Sequence, residues 1–202
     1  MATGMFNTSN AVKTLRRYWK NRASLPDPAT LSRALNHESD RAAVILASAI
    51  LDDVLTMVLA QRFAIKIDET QSDYVFRYEG PLGSFSSRVE IAYLFGIIEE
   101  ATRSQLSDIR EMRNACAHSK QTLTFAHKEL ANVAKRLFKP RGVTPLAEDT
   151  RDAIRHAFMI EFVFINFILI YGSRKRGIAE AAASWPVQVG APPPWLPTQT
   201  ER

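Results

Sequence analysis

DRAAVILASAILDDVLTMVLAQRFA, residues Asp40 to Ala64, is apolar almost all the way round a helix. A surface helix keeps its apolar residues on one stripe, so this one belongs at the centre of a bundle. The helix is expected to run from Ser39 to about Ala64. The exceptions to the apolar pattern are few: Ser48, Asp52 and Thr56 recur at i, i+4 spacing with Asp53 beside them, which draws one narrow polar stripe. A carboxylate in such a helix needs a cation or hydrogen-bond donors, because an unpaired buried charge is very costly.

Outward from this helix, every long segment favours helix, with Gly and Pro gathered at the joints. Residues 67–83 read as a connection with a brief extended piece at Tyr74 to Tyr78. After Pro81 and Gly83, Ser84 caps a helix expected from Phe85 to Ile97. Further helices are expected from Glu99 to Ala117, from Phe125 to Phe138, and from near Glu148 through the run AFMIEFVFINFILIY, Ala157 to Tyr171. That run is shorter than the roughly 20 residues of a membrane span and is interrupted by Glu161 and Asn166, so a core helix is expected and no membrane contact. Upstream, a basic helix is expected at about Asn10 to Arg22, and Asp27 can cap a short one reaching about Leu35 after the break at Pro26 and Pro28. The fold class expected is all-α: a single bundle of six or seven helices over residues 1–177, with a Pro/Ala-rich irregular tail at 178–202.

With 202 residues, 46% hydrophobic and 23% charged, the chain buries one real core and is not disordered as a whole. A single cysteine, Cys116, excludes an internal disulfide and a cysteine-based metal site. Together with a first segment, MATGMFNTSN, that lacks a signal peptide's apolar run, this places the expected compartment in the cytoplasm. The net charge of +5 permits an acidic or nucleic-acid partner without requiring one.

Familiar sites are missing. There is no phosphate-cradling glycine loop, no His-Glu-x-x-His spacing and no Gly-x-Ser-x-Gly elbow, and the four histidines are scattered, so neither metal nor cofactor is expected. No helix-turn-helix stands out. If DNA is bound, positive charge is concentrated at Lys13, Arg16, Arg17 and Lys20 and again at Arg174, Lys175 and Arg176.

LSDIREMRNACAH, Leu106 to His118, offers the one further constellation. At about 100° per residue, Leu106, Ile109, Met112 and Cys116 make the apolar face and Arg113 falls between Leu106 and Ile109. Its guanidinium is therefore expected to turn inward and pair with Asp52 or Asp53, a buried ion pair orienting two helices. His118 lies about 140° from Arg113, so the two converge only if the helix ends between them or a second protomer supplies one of them. A helix-terminal cation favoured by the macrodipole is an equally good reading of His118.

Taken together, ESDRAAVILASAILDDVL from Glu38, GPLGSFSSRVEIAYLFGI from Gly80 and DIREMRNACAH resemble the mannitol operon repressor family over roughly the middle half of the chain. That resemblance implies an all-helical transcriptional regulator without an evident DNA-reading motif. It marks Glu38, Asp40, Arg41, Asp52, Gly83, Ser84, Arg113, Asn114 and His118. Arg113, Asn114 and His118 are also similar to the Arg-Asn-x-x-x-His signature of HEPN-domain ribonucleases, typically dimers. There the resemblance implies metal-independent RNA cleavage, with histidine moving a proton and arginine stabilising the phosphate. The expectation is a cytoplasmic regulatory or protein-interaction module that self-associates as a homodimer or similar assembly; the alternative is a HEPN-like endoribonuclease using Arg113 and His118, so whether the chain is an enzyme stays open.

Overall fold

Helices and their joints account for the whole architecture in a computed structural model that describes residues 33, 35–77, 79–138 and 150–172. The basic segment at 10–22, the cluster at 174–176 and the tail lie outside these residues. Six α-helices are described: α1 Asp40–Ala60, α2 Glu69–Phe76, α3 Phe85–Leu94, α4 Glu100–His118, α5 Lys128–Arg136 and α6 Arg151–Phe167, the last running into a π-helical turn at Ile168–Gly172. No strand occurs among the described residues.

The sequence places α1 at the centre, and there it lies, packed against α3, α4, α6 and the π turn. Ala43, Ala47, Leu51, Val54, Leu55 and Leu59 on it are fully buried. Both α1 and the α6 segment are long and apolar enough, by length and composition alone, to cross a membrane. At least half of each such window is buried inside the protein, as packing at the centre of a bundle requires.

Local chemistry sets each boundary. Ser39 accepts the Ala42 N–H at the start of α1, Thr150 accepts that of Ala153 at the start of α6, and Ser84 forms a capping box with Ser87 at the start of α3. α3 stops three residues before its expected end. Gly96 adopts φ 65°, and the Gly96 and Ile97 N–H groups return to the Tyr93 and Ala92 carbonyls in a Schellman arrangement. Of the extended piece expected at Tyr74 to Tyr78, Tyr74 to Phe76 instead end α2, which Asp68 and Gln71 start with a capping box of their own; Arg77 alone is extended, and Tyr78 lies outside the described residues. That Asx-type start outweighs the β-favouring Tyr-Val-Phe run. α5 begins later than expected because the Phe125 N–H is committed to Asp40 and Thr124 turns onto His127.

A buried polar network crosses the core. Gln105 of α4 donates to the Leu137 carbonyl after α5 (2.6 Å) and to Glu161 of α6 (2.8 Å), which joins three elements at one amide. Phe125 packs on Phe158 with ring centroids 5.3 Å apart.

Candidate interaction site

Two arginine-carboxylate clusters hold the framework, and neither involves Arg113. The first is Arg88 of α3, 6% exposed. Its guanidinium donates to Asp52 of α1, to the Phe76 and Leu82 carbonyls at 2.8 Å each and to Gly83 at 3.3 Å, with the Phe76 ring 5.8 Å from Cζ. One planar fork thus pairs with Asp52 of the polar stripe of α1 and collects carbonyls from the end of α2 and from the Pro81 to Ser86 run. Gly80 is needed beside it: a Cβ there would sit 2.6 Å from the Val75 carbonyl oxygen and closer still to that of Tyr74.

The second cluster surrounds Asp40, 2% exposed. Arg151 donates to both its oxygens at 2.9 Å, Arg155 to one at 2.5 Å, and the Phe125 N–H to the other at 3.0 Å. Burial pushes this carboxyl upward, but the bonds from Arg151, Phe125 and Arg155 outweigh it and hold it below the usual carboxylate range. Arg155 also reaches the Leu35, Asn36 and Glu38 carbonyls, fixing how the chain enters α1.

Arg113 points to solvent, contrary to the expected pair with Asp52 or Asp53; its one described bond runs to Asn114 (3.4 Å). The physical reason is an overhang. Arg110 meets Ser86 and Arg103 meets Glu90, so α3 and α4 run antiparallel and the first turn of α3 lies level with Arg110. Beyond that turn α4 projects past its covering helix, and the flank that buries Leu106 is open at Arg113. The place at Asp52 is already taken by Arg88.

Along the overhang a polar surface continues. Arg41 of α1 donates to the Ala117 carbonyl (3.3 Å), one turn beyond Arg113 on the same flank. Neither Arg41 nor Arg113 has a carboxylate partner among the described residues. α4 continues through His118, which is exposed, so Arg113 and His118 diverge on one chain and converge only with a second protomer. At that helix end Arg41 and His118 also complement the negative end of the α4 macrodipole.

The structure thus gathers Arg41, Arg113 and Asn114 on one surface. Asp40, Asp52, Gly83 and Ser84 serve the scaffold below it, and Glu38 is an exposed residue whose carbonyl is used by Arg155. Asp53 is half-buried beside Asp52. Arg88, Arg151 and Arg155 escaped the sequence reading. Arg88 shares the inward face of α3 with Val89 and Ala92, a spacing that could have disclosed it.

This fold has a solved counterpart. A chain in the X-ray structure of the MtlR–HPr complex from Escherichia coli superposes with a TM-score of 0.60, covering 72% of this chain and 99% of that one. What they share is the fold. At 16% sequence identity the likeness extends no further than that all-helical arrangement. No protein-family model and no curated protein matches the sequence.

Proposed function

We propose that this chain is a cytoplasmic regulatory module, as the mannitol operon repressor family resemblance of Glu38 to His118 implies, and that it acts by docking a protein partner. The observation that carries the reading is the fold shared with a chain solved in the MtlR–HPr complex. The partner is a protein of the HPr kind, received on the α4 overhang. Arg41 and Arg113, two guanidinium groups without carboxylate partners among the described residues, suit a carboxylate or phosphate on the partner's surface.

Calorimetric titration of the full chain with HPr from the same organism tests this. Saturable binding is expected, weakened about tenfold or more by the double substitution Arg41→Glu, Arg113→Glu, because reversed charges on a docking rim cost on the order of 1.4 kcal/mol or more. No heat and no complex at high concentration overturns the partner. RNA cleavage that survives chelator and vanishes in both Arg113→Ala and His118→Ala replaces the reading with the ribonuclease one.

A further inference from the structure

Beside α2 runs a groove that the framework leaves open. Ile67, Thr70, Gln71, Tyr74 and Val75 line about 440 Å³ there. Ile67 and Val75 are half-buried against the core and Tyr74 is 76% exposed, so an aromatic ring stands over an apolar floor. None of the five is charged, and a partner chosen by charge finds nothing in the groove to recognise. What it does offer is hydrogen-bond donors. Gln71 uses its Oε1 to accept the Asp68 N–H, while its Nε2 and the Tyr74 and Thr70 hydroxyls have no partner among the described residues. The matching ligand is uncharged and apolar, rich in carbonyl acceptors and poor in N–H groups. Those are the properties of a proline-rich segment, since proline keeps its carbonyl and lacks the N–H.

We infer that the groove receives this chain's own Pro192 to Pro197, PPPWLP, with Trp195 against the Tyr74 ring. Three successive prolines favour polyproline II, which has no internal hydrogen bonds and docks on aromatic-lined grooves with little entropy left to lose. Lengths agree. The 8 residues of α2 rise about 12 Å, and Pro192 to Trp195 advance about the same at 3.1 Å each, which sets these two side chains on one edge. No charge falls between Ala181 and Thr200. The chain also leaves the bundle at a suitable end. Arg151 and Arg155 fasten the start of α6 to Asp40 at the start of α1, and the π turn packs on α1, so the two helices run in the same direction. Gly172 therefore lies towards the end where α1 stops at Ala60, and Ile67 follows Ala60 closely in the chain. The stretch from Ser173 to Ala191 reaches at most about 60 Å, roughly twice the length of α1. Attachment to the same chain keeps the segment at an effective concentration on the order of millimolar, so a contact of only millimolar intrinsic strength is substantially formed. The groove belongs to α2, whereas the partner surface proposed above belongs to α1 and α4, so either can fail without the other.

Labelling the full chain with 5-fluorotryptophan gives a fluorine resonance for each of Trp19, Trp185 and Trp195, and Trp195→Phe identifies the last by its loss. In the native protein the Trp195 resonance is expected away from its position in the urea-unfolded chain, and unmoved from about 20 to 500 µM, as a contact within one chain requires. Tyr74→Ala, at an exposed position, should return it to the unfolded position with unchanged far-UV circular dichroism. The double substitution Pro193→Gly, Pro194→Gly should do the same. Phe95→Glu, on the separate exposed turn after α3, should leave it in place. A native Trp195 resonance already at the unfolded position overturns the inference. So does a displacement that survives Tyr74→Ala, or one that dilution removes, which would put the tail of a second copy in the groove.

Discussion

Asp40 shows how much one side chain can settle. It sits in the first turn of α1, where the positive end of the helix favours a carboxylate, yet it is buried and would be costly without the arginines that face it. Three segments far apart in the chain, the start of α1, the turn at Phe125 and the start of α6, meet on its two oxygens. Replacing it with Asn leaves Arg155 with a side chain only 13% exposed and no carboxylate at that site, and should cost about 3 to 5 kcal/mol near neutral pH. The pH dependence has a definite sign. Because the folded carboxyl lies below its ordinary value of 3.8, its stabilisation is complete above that value and is lost as pH falls through the folded one. Urea unfolding of wild type and Asp40→Asn at neutral pH and at stepwise lower pH should show the gap closing below about pH 4. A gap that stays constant, or widens in acid, would mean that Asp40 contributes through shape and not charge.

At the scale of elements, α3 and the joint before it form one unit because Arg88 reaches back into that joint. Helix caps order the first turn, but a cap contributes only about 1 kcal/mol and cannot by itself place a connection against the core. The guanidinium does so by serving three carbonyls and one carboxylate at once. Arg88→Met should lower stability by about 3 to 5 kcal/mol, and Arg88→Lys should recover little of it, since an ammonium group cannot satisfy a planar fork. Chemical denaturation with both variants checks this. Full rescue by lysine would show that charge at Asp52, and not the carbonyl geometry, is what matters. The same element-level geometry exposes Arg113: α3 is 10 residues long and α4 is 19, so the longer helix must outrun its cover at one end.

For the molecule as a whole, the core from Leu35 to Leu169 is continuous, and Cys116 lies inside it, fully buried. Burial pushes its thiol up, so the reactive thiolate is scarce as well as inaccessible. A thiol reagent added to the native protein should react only as the whole bundle opens, with a midpoint in urea equal to that of helix loss by circular dichroism. Labelling well below that midpoint would reveal local opening of the end of α4 that carries Cys116.

Periodicity and punctuation are local properties, and from them the all-helical class, the central α1, the Ser84 cap and the core identity of the Ala157 to Tyr171 run could be read directly. Each depends on residues within a turn or two of one another, where i, i+4 spacing and cap chemistry act without reference to the rest of the chain. The fate of charge could not be read in that way. Asp52 advertised its need for a cation, but Arg88 and Arg113 were equally able to answer it in sequence, and only the antiparallel placement of α3 on α4 gave Arg88 the inward position and left Arg113 in solvent. The Arg151 and Arg155 clasp on Asp40 spans more than a hundred residues and leaves no mark on local spacing. Which arginine is structural and which is free to meet a partner is fixed by where helices end relative to their neighbours, a length relation that exists only once the bundle is assembled.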